Sequence, residues 1–428
     1  MVETTIHTEA EAAGFRPASL DAVNFLLADV RGALGPYLNV FLVTQRHWSQ
    51  TDVGLVTTIG GLLGLAVQTP IGAVIDGTRA KRGAIVLALA VLAAGAATIF
   101  AAPSFWPVLA ANTLTAVVGD VFGPAVAALT LGLYARDQLA RRMGRNSAFD
   151  HAGNVAIALA AGAVGYVFSQ RAVFLMVPVF AALAAVAVLS IPYRAIDQDR
   201  SRGLDDGEAS AEGGKGPSGF SALIRCRPLV VFGLCAMLFH FANAPLLPLV
   251  GQKLAVSHPA WATAMMSSCI VAAQLVMLPI ALLVGHNADR WGRKPILLIG
   301  FGILPIRAVL YTLSNAAPWL IGVQLLDGVG AGVFGAITPL VVADLMRGTG
   351  RFNVAQGAVA TMQGIGASTS GLVAGVIVDH LGYSAAFLTS GVAAAVALTV
   401  LSLAMPETAT IQDGDASLPT TREAGALG

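Results

Sequence analysis

Charge is what this chain has least of. Only 11% of its 428 residues are Asp, Glu, Lys or Arg, against about 25% in an ordinary soluble protein. With 56% hydrophobic residues and a mean hydropathy of +0.74, too little polar surface remains to cover a globule in water. A bilayer is the matching solvent. No sign of charge dominates either: 25 basic side chains face 24 acidic ones. No basic run tracks a phosphate backbone, so nucleic acid is excluded as a partner. Cysteine is sparse, and Cys226, Cys235 and Cys269 have neither CxxC nor metal-ligand spacing. Two of them lie in apolar segments, as small hydrophobes do, so neither metal nor cofactor is expected. The opening MVETTIHTEAEAAG has no basic stretch followed by a short apolar one, so the first apolar segment is expected to persist as a span. HExxH, GxSxG and P-loop motifs are also missing, which argues against the commonest hydrolase and ATPase chemistries.

What is present is a series of long apolar runs. A span needs about 20 mostly apolar residues, and candidates fall near 20–44, 52–75, 83–102, 106–135, 147–169 and 172–193. A second set follows near 228–250, 261–285, 295–314, 318–345, 353–378 and 384–405. If both termini are cytoplasmic, 20 of the 25 Lys/Arg lie on that side, as the positive-inside rule requires. The expected organisation is an N-terminal tail (1–19), a six-helix bundle (20–193), a linker (194–227), a second bundle (228–407) and a C-terminal tail (408–428). The linker is charged, rich in Gly and Ser and free of aromatics over 195–219, a composition that cannot order itself. The fold class is therefore all-α integral membrane protein, with twelve helices in two pseudo-repeats.

The halves echo one another. GAVIDGTRAKR (72–82) and GHNADRWGRK (285–294) each place Asp four residues after Gly and then a basic cluster, with the two glycines 213 residues apart. Asn112/Gln324, Phe122/Phe334 and Gly123/Gly335 are offset by 212. Weak internal symmetry of this kind marks two repeats with a binding site between them. The chain here resembles the major facilitator superfamily of secondary transporters. Gly285, Asp289, Arg290, Gly292, Arg293 and Lys294 match that family's signature loop, and Gly72, Asp76 and Arg79 form a degenerate first copy. MPET (405–408) is a further family ending. The resemblance implies the fold just described and a gating role for both loops, through charge-assisted bonds to a neighbouring helix end. The plainer reading is that the basic residues only set topology.

An ionisable residue at mid-span costs about 2.5–3.5 kcal/mol on insertion scales, so such residues need a partner or a watery cavity. Asp29 and Arg31 fall near the middle of span 1 and Asp120 near that of span 4; His240 and Asn243 lie in span 7, Gln324 and Asp327 in span 10. The resemblance implies that spans 1, 4, 7 and 10 line a central cavity. Asp29 and Asp120 are the expected proton-coupling groups. Burial and an adjacent guanidinium act in opposite senses on a carboxyl, so movement of Arg31 would switch protonation. A fixed Arg31–Asp120 pair is the structural alternative. Asn24, Arg31, His240, Asn243, Gln324, Asp327, Gln356 and Gln363 are the candidate cavity and substrate-binding residues. For His240, packing weighs as much as binding. Interhelical bonding explains Gln356 and Gln363 as well as a pathway does, and Asp327 is either an ion site or the partner of Arg307.

The expected activity is proton-coupled secondary transport of a small organic solute or drug-like compound by a monomer, in the export direction. Both termini would be cytoplasmic and the membrane a bacterial inner membrane. The family's antiporter groups carry an arginine early in span 4 and a Gly-Pro pair in span 5; this chain has neither. That leaves open proton-driven uptake of an organic acid or sugar, and metal or siderophore export. An intramembrane aspartyl protease would show Gly-x-Gly-Asp where Val117-Val118-Gly119-Asp120 stands, so an enzyme is not expected. A sensor without flux fits poorly with short loops and no output domain.

Overall fold

With no water to bind their peptide groups, the apolar runs must satisfy every N–H internally, and helices do so. The computed structural model describes residues 14–28, 34–77, 80–134, 136–197, 226–347 and 352–409, with the backbone alone described at 34, 69, 71–77, 120, 136, 137, 140 and 353. Among the described residues there is no strand. The first half contains α1 (Pro17–Leu27), α2 (Leu34–Arg46), α3 (Gln50–Gly77), α4 (Lys81–Ala101), α5 (Phe105–Leu133), α6 (Arg136–Val167) and α7 (Met176–Leu189). The second contains α8 (Arg227–Asn243), α9 (Leu246–Ser257), α10 (Ala262–Trp291), α11 (Arg293–Leu313), α12 (Ala317–Leu345) and α13 (Phe352–Ala404).

Among the described residues, nine helical stretches are long and apolar enough to cross a membrane. The last, within α13, makes two crossings because the helix turns back at Gly382. Its φ of +83° and ψ of 172° suit glycine alone. The α1–α2 pair and α6 complete the set of twelve. α6 begins eleven residues before the expected start of span 5. Arg141, Arg142 and Arg145 therefore belong to its first turns and not to a loop.

Two separate cores hold the halves. Phe15, Leu20, Leu89, Phe122, Leu129, Phe174 and their neighbours bury one another in the first. Phe232, Phe239, Phe301, Tyr311, Ile337, Phe387 and their neighbours do so in the second. Up-and-down helices bring the basic clusters to one end of the molecule, called here the basic end. Asp21 of α1 ties it together in the first half, 2.8 Å from Arg142 Nη2 and 2.6 Å from Arg145 Nη2 of α6.

Candidate functional site

The halves meet most closely at the end opposite the basic clusters. There Asp379, late in α13, accepts hydrogen bonds from the backbone N–H of Gln50 (3.0 Å), the N–H of Thr51 (2.7 Å) and the Thr51 hydroxyl (2.6 Å). These groups sit at the N-terminus of α3, where unpaired N–H groups and the helix dipole favour an anion. Gln50 Nε2 adds a bond to Tyr383 Oη at 3.0 Å. One turn and more below, Thr58 Oγ1 donates to Ser368 O (2.7 Å) and accepts from Leu372 N–H (3.2 Å). Between these bonds α3 and α13 touch through backbone. A side chain at Gly54 would overlap the carbonyl of Gly371, and one at Gly375 that of Gln50. The second seam is α6 against α10: Gly162 and Gly165 admit Ser267 and Thr263, Tyr166 stacks on Trp261 with ring centres 4.4 Å apart, and Tyr37 Oη lies 2.9 Å from Ser267 Oγ. His151 Nδ1, 2.9 Å from Gln274 Oε1, joins the same helices near mid-depth. Among the described residues, the hydrogen bonds that join the halves run from this opposite end to about mid-depth.

Two cavities adjoin these seams. One, of about 200 Å³, is walled by α2 and α3 from the first half and by α9 and α13 from the second; Asn39, Gln50, Thr57, Gln252 and Ser370 supply its polar groups. The other, of about 290 Å³, lies within the first half toward the basic end, among α1, α5 and α6, and includes Asn24, Thr130, Asn146 and Asp150. The Asn24 amide is already committed to Leu20 O at 2.8 Å, and Asn146 bridges Arg142 (2.8 Å) to Thr130 (3.0 Å).

The second half holds a polar network in its apolar core. Arg307 of α11, 2% exposed, pairs with Asp327 of α12. Its Nη2 donates to Asn243 Oδ1 at 2.6 Å. Gln324 Nε2 donates to the other Asp327 oxygen at 2.9 Å, and Tyr311 Oη donates to Gln324 Oε1. A charge buried in hydrocarbon needs such partners, although the Arg307 Nε is left without one. His240 sits beside the network, its Nδ1 3.0 Å from Ala236 O, with edge contacts to Phe239 and Phe334.

The signature loop is an electrostatic knot at the basic end. Arg293 reaches Asp289 at 2.7 Å and Asp344, at the end of α12, at 3.0 Å. Glu407 accepts backbone N–H bonds from Arg293 (2.9 Å), Lys294 (3.0 Å), Thr408 (2.9 Å) and Ala409 (2.9 Å). Burial raises the proton affinity of the Glu407 carboxyl, but those four donors outweigh it and hold it below the ordinary glutamate value. Gly292, at φ +84° and ψ 156°, makes the turn. A Cβ there would meet Glu407 Oε2 at 2.8 Å. Gly285 and Arg290 flank this knot on α10 without a part in its bonds.

Of the residues marked by sequence, Asp29, Arg31 and Arg79 lie outside the described residues. Gly72, Asp76 and Asp120 are helical with only their backbone described. Asn24 borders the first-half cavity, while Asn243, Gln324 and Asp327 come together around Arg307. Gln356 and Gln363 are half-buried on α13, and the Gln356 Oε1 atom has no partner. Sequence reasoning passed over Asn39, Gln50, Gln252, Asp379 and Tyr383. One signal was available for two of them: Asn39 and Gln252 are 213 residues apart, the same offset as the signature glycines.

Comparison with known proteins gives one consistent answer. The Major Facilitator Superfamily model matches residues 20–286 and 229–422. The chain is 50% identical over 390 residues to each of two Mycobacterium tuberculosis proteins, the uncharacterized MFS-type transporters MT2531 and Rv2456c, covering 91% of this chain and 93% of theirs. Among solved structures it is similar to a variant of the nucleoside transporter NupG, with TM-score 0.75 and 15% identity, over 90% of this chain and 98% of that one. Unsubstituted NupG gives a TM-score of 0.71 at 13% identity over the same shares.

Proposed function

Since this chain belongs to the Major Facilitator Superfamily, we propose that it is a proton-coupled secondary transporter that exports a small organic solute by alternating access. It is a multi-pass membrane transporter and not an enzyme. The observation that carries the mechanistic reading is the seal. A few hydrogen bonds around Asp379, together with glycine-lined helix contacts, close one end over a cavity that both halves wall. Contacts this few can be exchanged for a different set at the other end within a few kcal/mol, which a two-state carrier requires. In this reading the signature loop, with Arg293, Asp289, Asp344 and Glu407, belongs to the gate at the basic end. Asp29 and Asp120 take up and release the proton, and Arg31 biases that exchange. We place the basic end in the cytoplasm of a bacterial inner membrane, with residues 20–193 and 228–407 as the two moving bundles of a monomer.

Proteoliposomes with an internal pH dye test this. A transported compound is expected to drive a pH change that Asp29→Asn abolishes, and the sign of that change separates export by antiport from uptake by symport. Solute counterflow with no pH change under any imposed gradient would remove the proton from the mechanism. One observation favours the uptake alternative: carboxamides and hydroxyls line the cavity between the halves, and among the described residues no charged side chain borders it. That lining suits an uncharged, hydroxyl-rich solute such as a sugar.

A further inference from the structure

The cavity between the halves contains an internal symmetry. Asn39 of α2 and Gln252 of α9 stand 213 residues apart, the offset of the signature glycines, and Pro36 and Pro248 about one turn before them are 212 apart, so the two amides match in the repeats to within one residue. Both carboxamides are buried, Asn39 being 8% exposed and Gln252 2%. The carbonyl oxygen of each, Asn39 Oδ1 and Gln252 Oε1, has no hydrogen-bond partner. A buried polar atom left unpaired costs about 1–3 kcal/mol, and natural structures rarely carry it without a use. Of the ten such side-chain atoms among the described residues, these two, one from each half, share the wall of one cavity. The other polar side chains on that wall already have partners: Gln50 with Tyr383 across the seal, and Thr57 and Ser370 with carbonyls of their own helices, Val53 O and Gly54 O for the one and Ala367 O for the other.

We propose that Asn39 and Gln252 form a two-sided carboxamide clasp for an uncharged, hydroxyl-bearing solute just beneath the Asp379 seal. This assignment rests on the transporter reading and names a substrate class for it, independently of transport direction. Hydroxyls fit because each both donates and accepts, and so pairs with a carboxamide whichever way its oxygen and nitrogen point. Charge is disfavoured because, among the described residues, no opposite charge borders the cavity, and a lone buried ion is prohibitively costly. Size is limited because about 200 Å³ lies below the roughly 300–1,000 Å³ of drug-sized ligand sites. Because one amide comes from each half, a bound solute bridges the halves and favours the state in which this end is closed.

The test uses the full chain purified in detergent, with erythritol, ribose, glucose and inositol as neutral probes and gluconate and glucosamine as charged counterparts. Binding is read by calorimetry and by ligand-induced thermal stabilisation. At least one neutral probe is expected to bind and neither charged one to do so. Asn39→Leu and Gln252→Leu should each weaken binding about tenfold, and the double substitution about a hundredfold. The same leucines keep the approximate volume and remove an unpaired polar atom, so the unliganded protein should unfold no earlier than the parent. Amides that serve only the fold would give the reverse, a less stable unliganded protein with unchanged probe binding. Tighter binding of the charged counterparts, unaltered affinity in the leucine variants, or no binding of any neutral probe overturns the clasp. Transport of another solute by those same leucine variants at the parent rate would also overturn it while leaving the proposed function standing.

Discussion

Arg307 and Asp327 give the sharpest quantitative expectation. The pair sits in the second core with the guanidinium 2% exposed and the carboxylate 14%, so neither ion recovers water when the other is removed. Cutting one partner of a buried pair typically costs about 3–5 kcal/mol, because an uncompensated charge stays behind. Replacing both by apolar groups of similar volume is often neutral or better. Arg307→Met should therefore destabilise by about 3–5 kcal/mol. Asp327→Asn should lose somewhat less, since the amide still accepts from Arg307 or Gln324. Arg307→Met combined with Asp327→Leu should recover most of the loss. The accessory bonds set the scale for comparison: hydrogen bonds between transmembrane helices average about 0.6 kcal/mol in double-mutant cycles, and Tyr311→Phe should fall there. Reversible unfolding of the chain in mixed micelles measures all four. The reasoning fails if the single substitutions cost no more than Tyr311→Phe, or if the double is as unstable as the sum of the singles. Transport by the double variant then distinguishes two roles. A fold-holding pair leaves flux intact, whereas a pair that opens and closes in the cycle does not.

The seal and the basic-end knot add further expectations. Gly54→Val places branched carbon against the Gly371 carbonyl, so α3 and α13 cannot close; expression should persist while transport stops, with a cysteine in place of the buried Val53 gaining access to thiol reagents. Asp379→Ala leaves three donors without their acceptor and should raise the same accessibility. Burial raises the Asp379 pKa, but the Thr51 hydroxyl, the two N–H groups and His380 outweigh that and depress it below 3.8. Its contribution is therefore full at neutral pH and lost only as pH falls through that depressed value, so labelling, taken at each pH relative to the same cysteine in the unfolded chain to cancel the thiolate fraction, should be flat from pH 5 to 8. Glu407→Ala removes the acceptor of four backbone N–H groups and should destabilise by about 1–3 kcal/mol, seen as earlier thermal unfolding. Glu407's own depressed pKa places the acid loss of that support below the ordinary glutamate range.

The fold was legible because the bilayer permits little else. Low charge, apolar runs of span length and an alternating Lys/Arg distribution follow from the cost of putting polar groups in hydrocarbon, so they locate helices without any knowledge of packing. Where boundaries slipped, the cause was local. Arg141, Arg142 and Arg145 suggested a loop to a reading based on hydropathy, yet two of them share Asp21 as an ion-pair partner, and α6 continues through the cluster. The site was less legible for a different reason. Hydropathy marks a residue as costly but does not say what satisfies it. Asp327, Gln324 and Asn243 stood out as polar in apolar runs; Arg307, weighed only as a candidate partner of Asp327, is what all three gather around. Asn39 and Gln252 drew no notice, because a neutral amide five residues from a helix end looks affordable. Their burial and empty hydrogen-bonding capacity exist only once two helices from different repeats face each other across a cavity. Periodicity within one span cannot report that, but the 213-residue repeat could. In a duplicated transporter, pairs of polar residues at the repeat offset therefore point to the shared pathway more directly than the strength of any single charge.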